Sequence, residues 1–171
     1  MEIERKFLVV DDSYKQLAAS HSEILQGYIA RSEGRTVRIR LRSSTDLSGR
    51  ETTKAYLTIK GPSTDGISRY EWEREIPYDE GLELFGICQP GRIQKTRWLV
   101  PSPDGIHTVE VDEFHEQNEG LVFAEIELAA PDEPYQAPLF LGTEVTGNRR
   151  YYNGFISRHP FCTWEKEEGW K

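Results

Sequence analysis

Residues 2–7 read Glu-Ile-Glu-Arg-Lys-Phe (EIERKF), and their alternation decides how the rest of the chain is read. In an extended strand successive side chains point to opposite faces. Glu2, Glu4 and Lys6 then share one face, while Ile3, Arg5 and Phe7 share the other. The same period-two pattern returns over 24–30 (ILQGYIA), 35–42 (RTVRIRLR), 55–61 (AYLTIKG), 68–76 (SRYEWEREI), 93–100 (IQKTRWLV), 106–114 (IHTVEVDEF) and 121–129 (LVFAEIELA), with Gly, Pro, Ser or Asp in the gaps. Together with 2–9 these make eight strands, enough to close a barrel. Helical patterns are fewer: 11–20, 78–88 and part of the segment 147–161. The expected fold is therefore α+β, an eight-stranded antiparallel closed β-barrel with a few helices packed outside.

A single strand with a polar face is ordinarily a solvated strand. Here the polar face carries ions on strand after strand: Glu2, Glu4 and Lys6; Arg38 and Arg40; Lys60; Glu71 and Glu73; Lys95 and Arg97; Glu110 and Asp112; Glu125 and Glu127. The opposite faces hold Val37, Ile39, Leu41, Leu57, Val109, Val111, Ala124 and Ile126, which need cover that outer helices can give. The charged faces are then expected to point into the barrel. Such a lumen is costly unless its charges pair or bind something of matching charge. Arg and Lys suit phosphate oxygens, and carboxylates without Cys or His suit hard cations such as Mg²⁺ or Mn²⁺. A chain of phosphates carrying divalent cations matches both sets.

Composition narrows the alternatives. The 171 residues are 37% hydrophobic, 29% charged and 11% aromatic, values of a folded chain and not of a disordered one. One domain over 1–171 is expected, its last dozen or so residues forming a tail. Apolar runs such as GLVFAEIEL fall far short of the roughly 20 residues of a membrane span, so no membrane partner and a cytoplasmic location are expected. The net charge of −8 argues against a nucleic-acid partner. Cys88 and Cys162 lack metal-binding spacing and are read as free thiols. His21, His107, His115 and His159 form no pair at ligand spacing, which argues against zinc.

The ordered series ExExK, RIRL, TIKG, EWE, KTR, EVD, EIEL and EVTGNRRYYN, from Glu2 to Asn153, resembles the CYTH superfamily, the triphosphate tunnel metalloenzymes, and most of all its short bacterial inorganic triphosphatases. The resemblance implies a tunnel that binds a triphosphate-containing small molecule and acts on it with Mg²⁺ or Mn²⁺, two ions in the active complex. Carried over to this chain, it implies Glu2, Glu4, Glu125 and Glu127 as metal ligands, with Glu71, Glu73 and Asp112 contributing through water. It implies Lys6, Arg38, Arg40, Lys60, Lys95 and Arg97 as a phosphate cradle, Lys6 paired with Tyr28 at the reacting phosphate, and Arg150 closing one end. Asn148 stands where the family often has an acid. The expected reaction is hydrolysis of inorganic triphosphate to pyrophosphate and phosphate. Organic triphosphates such as thiamine triphosphate or nucleoside triphosphates, class IV adenylate cyclase chemistry and a non-enzymatic polyphosphate-binding module are the alternatives. The cyclase subgroup has a His-Phe pair ahead of its acidic motif, which is not found before Glu2. A homodimer is an expectation from the family alone.

Overall fold

The computed structural model describes residues 1–165, and all of its strands pair into one antiparallel sheet. They are β1 (Glu2–Val9), β2 (Ser20–Ser32), β3 (Arg35–Thr45), β4 (Glu51–Lys60), β5 (Ser68–Arg69), β6 (Glu71–Ile76), β7 (Ile93–Pro101), β8 (Thr108–Phe114), β9 (Val122–Glu127) and β10 (Leu141–Glu144). Pairing runs β10-β1-β9-β8-β7-β2-β3-β4-β6, and β5 turns back onto β1. The strand expected over 68–76 is thus broken at Tyr70. Its longer part pairs with β4 from Lys60↔Glu71 to Ala55↔Ile76, whereas Ser68 and Arg69 pair with Ile3 and Glu2 of β1. That step brings the two edges of the sheet together into a nearly closed barrel. Taken as one interrupted strand, β5 and β6 complete the expected eight-stranded wall, and β10 lies outside it against β1.

Turn chemistry explains why two strands run further than expected. The stretch 43–54 reads as a loop, yet β3 and β4 enter it from both sides. Asp46 Oδ1 accepts the backbone N–H of Ser48 and of Arg50, both at 2.9 Å, and Gly49 takes φ +82°. The reversal is therefore done within five residues. No alternation signals β10, whose four residues LGTE hold one large apolar side chain.

Two apolar layers cover the outside. Phe7, Val109, Val111, Ala124 and Ile126 pack under Tyr14 of α1 (Tyr14–Leu17) and under Tyr135 and Phe140. Ile39, Leu41 and Ala55 pack under Leu84 and Phe85 of α2 (Tyr78–Gly86). At Gly81 a Cβ would lie 2.4 Å from that of Ala55, so the helix reaches the sheet only because this residue has none. The helix expected over 11–20 shrinks to the single turn of α1.

The third apolar cluster lies on the inward face at one end of the barrel. Leu8, Tyr28, Ile93, Phe114, Leu121 and Phe123 meet Tyr151, Ile156 and Phe161 of the C-terminal segment, which includes α3 (Asn153–Ile156). Phe161, at the start of the expected tail, is 3% exposed, and its N–H donates to Asn118 Oδ1 at 2.8 Å. The remainder of the expected tail, 166–171, lies outside the described residues. Cys88 and Cys162 are free thiols. Among the described residues no helix is long and apolar enough to cross a membrane.

Candidate active site

Below the apolar plug the barrel holds a cavity of about 570 Å³. Inward parity delivers Glu2, Glu4 and Lys6 from β1, Arg38 and Arg40 from β3, Lys60 from β4, Glu71 and Glu73 from β6, Lys95 and Arg97 from β7, Glu110 from β8, and Glu125 and Glu127 from β9 to its wall. Register makes the acidic cluster: Glu4 lies opposite Glu127 and Lys6 opposite Glu125, so residues more than 100 positions apart share one patch.

Most bases on this wall are matched by acids. Lys60 Nζ lies 2.8 Å from Glu2 and 3.2 Å from Glu71. Lys6 Nζ is 3.4 Å from Glu125 and donates to the Tyr151 carbonyl at 2.8 Å. Arg97 forks onto Asp112 at 2.8 and 2.9 Å and reaches Glu110 at 2.7 Å. Lys95, fully buried, donates to Asp112 at 2.6 Å and to Asn153 Oδ1 at 3.1 Å. Arg38 is 3.5 Å from Glu73, but its buried Nε has no partner among the described residues. Arg40 has no carboxylate partner among the described residues; its Nε donates to Gln26 Oε1 at 2.9 Å.

The ionisation of the groups follows from burial and these neighbours. Burial, with Arg38 and Arg97 nearby, pushes Arg40 down to about 9. Burial takes Lys95 down to about 7 even though Asp112 opposes it. Burial also raises Asp112, yet Arg97 and Lys95 hold it down at about 2. Among the acids, burial and Glu125 push Glu4 well above the ordinary carboxylate range. Burial and a hydrogen bond to Glu2 push Glu71 up to about 7. Glu127 is raised by burial and by Glu2 and Glu110. Glu125, although burial opposes it, is held well down by Lys6, Arg97 and a hydrogen bond from Glu4.

Three expected site residues are placed differently. Asp112 does not line the cavity: it is 1% exposed, with both oxygens occupied by Lys95 and Arg97, and so it holds the bases in position. Arg150 also lies off the cavity wall, its guanidinium stacked 4.2 Å from the Trp164 ring. Tyr28 lines the cavity, but it packs in the apolar plug and makes no hydrogen bond to Lys6 among the described residues. The tyrosine ring near Lys6 Nζ is Tyr152, at 5.2 Å. Asn148 caps a short 3₁₀ turn by accepting the N–H of Arg150. Wall residues not singled out include Arg31, Arg69, Arg149, Tyr152, Asn153 and Arg158. Arg69 shares the parity of Glu71 and was legible on that ground, whereas Arg149 to Arg158 lie in irregular backbone that carries no period.

The carboxylates fit a hard divalent cation by their chemistry. Among the described residues no three of them are already gathered at ligating distances. Instead the carboxyls lie in pairs: a hydrogen bond from Glu4 helps hold Glu125 down while Glu4 itself is pushed up, and one from Glu71 helps hold Glu2 down while Glu71 is pushed up. Two carboxyl pairs that must each retain a proton to lie together are places where a cation can replace that proton.

The CYTH domain pattern matches residues 1–153. The chain is 42% identical over 163 residues to a protein named inorganic triphosphatase from Acetivibrio thermocellus, covering 94% of this chain and 95% of that one. It is 32% identical over 154 residues to a protein of the same name from Nitrosomonas europaea, covering 89% and 93%. The solved structure of the inorganic triphosphatase NE1496 superposes with a TM-score of 0.59 at 26% identity, over 92% of this chain and 94% of that one. An inward-charged antiparallel barrel, the ordered motifs and these matches together establish that the chain belongs to the CYTH domain family.

Proposed function

We propose that this protein hydrolyses inorganic triphosphate to pyrophosphate and phosphate, with Mg²⁺ or Mn²⁺ held by Glu2, Glu4, Glu125 and Glu127 and supported by Glu71 and Glu73. The observation that carries the reading is one cavity in which bases face a cluster of carboxylates whose crowding and burial push Glu4 and Glu71 up, as a site lacking its cations would. Bound Mg²⁺ or Mn²⁺ supplies charge neutralisation and an acidified water.

The chain's own residues do the positioning. Arg40, half-buried between Arg38 and Arg97 with no ion-pair partner among the described residues, and Arg38, whose Nε has no hydrogen-bond partner among them, are the cations an anion would relieve most. Lys60, Lys95 and Arg97 complete the cradle along the wall. Lys6 stays charged despite burial because Glu125 lies 3.4 Å from it, so it can hold a terminal phosphate oxygen as negative charge builds on it. The plug behind Lys6 keeps bulk water from that end. The atoms balance simply: one water adds across one P–O–P bridge, and the bridging oxygen leaves on pyrophosphate.

The test is a panel. The full chain is given inorganic triphosphate, thiamine triphosphate or ATP with Mg²⁺, Mn²⁺ or EDTA, and phosphate, pyrophosphate and cyclic AMP are measured. Equal yields of pyrophosphate and phosphate from inorganic triphosphate, lost in EDTA, are expected. Faster turnover of an organic triphosphate, or cyclic AMP from ATP, would replace this reading, and binding without turnover would end it.

A further inference from the structure

The bases on the cavity floor are largely neutralised, but those on one rim are not. Three segments meet there. Arg69 Nη2 donates to the Gly34 carbonyl at 2.7 Å, and Arg158 Nη2 to the Arg31 carbonyl at 2.8 Å. Gly66 and Gly147 approach so closely that a Cβ on either would lie 3.3 Å from the other's Cα. The segments 31–35, 62–69 and 147–158 thus bring Arg31, Arg69, Arg149 and Arg158 to the cavity wall together.

None of these four has a carboxylate partner among the described residues; of the two acids in these segments, Glu33 pairs with Arg35 at 3.4 Å and Asp65 accepts the backbone N–H groups of Ile67 and Ser68. The four are anchored, where they are anchored, by neutral carbonyls. Arg31 gives Nη2 to the Pro90 carbonyl at 2.9 Å, and Arg69 gives Nε to the Gly61 carbonyl at 3.0 Å. Arg31 Nε and Nη1 are buried with no hydrogen-bond partner among the described residues. Carbonyls fix the position of a guanidinium but leave its charge uncompensated. The rim is therefore a preset cluster of positive charge on a chain whose net charge is −8.

We infer that Arg31, Arg69, Arg149 and Arg158 form a second anion station, distinct from the cradle below, which captures inorganic triphosphate and loads it into the cavity through this mouth. The inference rests on the proposed substrate. A polyanion approaching an acidic protein is repelled except where the local field is reversed, and within a Debye length of about 8 Å at physiological salt such a cluster raises the encounter rate.

Arg149 and Arg158 are exposed, so Arg149→Gln/Arg158→Gln can be made without opening the core. Arg50→Gln/Arg74→Gln removes the same charge at exposed positions off the cavity wall. At low ionic strength the rim variant should lose about tenfold in kcat/KM for triphosphate, with a flatter dependence on salt, and the loss should not fall on kcat. The control pair should change neither. Calorimetric titration of inorganic triphosphate in EDTA should show about tenfold weaker binding and a smaller salt effect for the rim variant alone. Unchanged affinity and salt dependence in the rim variant, or equal losses in both pairs, would overturn the inference. The titration needs no turnover. A chain that binds at the rim but hydrolyses nothing would refute the proposed function and leave the station standing; a chain that hydrolyses triphosphate with the rim variant unaltered would do the reverse.

Discussion

On five strands the inward face changes from charged or polar to apolar within two residues. Lys6 is followed by Leu8, Gln26 by Tyr28, Asp112 by Phe114, while Lys95 follows Ile93 and Glu125 follows Phe123. Of the first members, Lys6, Lys95 and Glu125 line the charged chamber while Gln26 and Asp112 hold its bases from behind, and every second member belongs to the plug. The plug sets where the chamber ends, and it puts apolar surface directly behind the charges: Lys6 Nζ is 4.8 Å from the centre of the Phe123 ring, and Lys95 Nζ is 5.5 Å from that of Phe114. A charge backed by hydrocarbon must be paired or protonated, which is why Lys95 is tied to Asp112 and Glu4 retains a proton. Chamber and plug are thus one device.

The largest effect should come from the chamber. Glu4→Gln should lower metal-dependent turnover of triphosphate by about a thousandfold, some 4 kcal/mol in barrier, with the circular-dichroism spectrum unchanged; retained turnover would remove Glu4 from the metal set. Phe123→Ala attacks the plug and should cost about 3–5 kcal/mol of stability, lowering the thermal midpoint by roughly 10 °C. Its kinetic signature would sharpen the link between the regions, because Lys6 loses the ring behind it. Asp112→Asn breaks the boundary between them by leaving Lys95 and Arg97 short of a charge, at a cost of about 3 kcal/mol, readable by chemical denaturation.

The smallest effect lies outside the barrel and serves as a contrast. His107 is held between Asp104 and Glu133, each 2.8 Å from a ring nitrogen, and strong hydrogen bonds to both raise its pKa. Its contribution is full below the ordinary histidine value near 6.5 and is lost as pH rises through the higher folded value. Hydrogen bonds hold Asp104 and Glu133 below their ordinary values, so their contributions are full above about pH 4 and are lost as pH falls through the folded values. Stability from this latch is therefore greatest between about pH 5 and 6.5. His107→Gln should flatten the fall in thermal midpoint from pH 6 to pH 8; an unchanged fall would exclude the latch as its source.

The barrel and most of its charged lining were legible because period-two alternation over eight segments leaves little freedom in which face turns inward. What was not legible has physical causes. Alternation cannot show that a partner occupies both oxygens of Asp112, since that depends on the β7–β8 register, Lys95↔Phe114 and Arg97↔Asp112. It also cannot tell an inward Phe123 from an outward Ile126 by composition; only the C-terminal segment reveals that the inner face is capped. The resemblance points to Arg150, yet Arg149 lines the wall instead, because a 3₁₀ turn has neither of the two periods by which faces are read and Arg150 stacks on Trp164, 14 residues on.

The pairing of Glu4 with Glu127 has a consequence for how the chain is made. Glu2 and Glu4 are synthesised before the acids that complete their cluster, which come more than 120 positions later. Contacts of such sequence separation close slowly, after local hairpins such as β2–β3 and β3–β4 have formed. A nascent chain therefore carries all the bases of β3, β4 and β7 before it has a finished place for a cation. If the proposed cations bind this cluster, they can favour only the fully closed barrel, and their effect on refolding should appear in the final, topological step and not in the early ones.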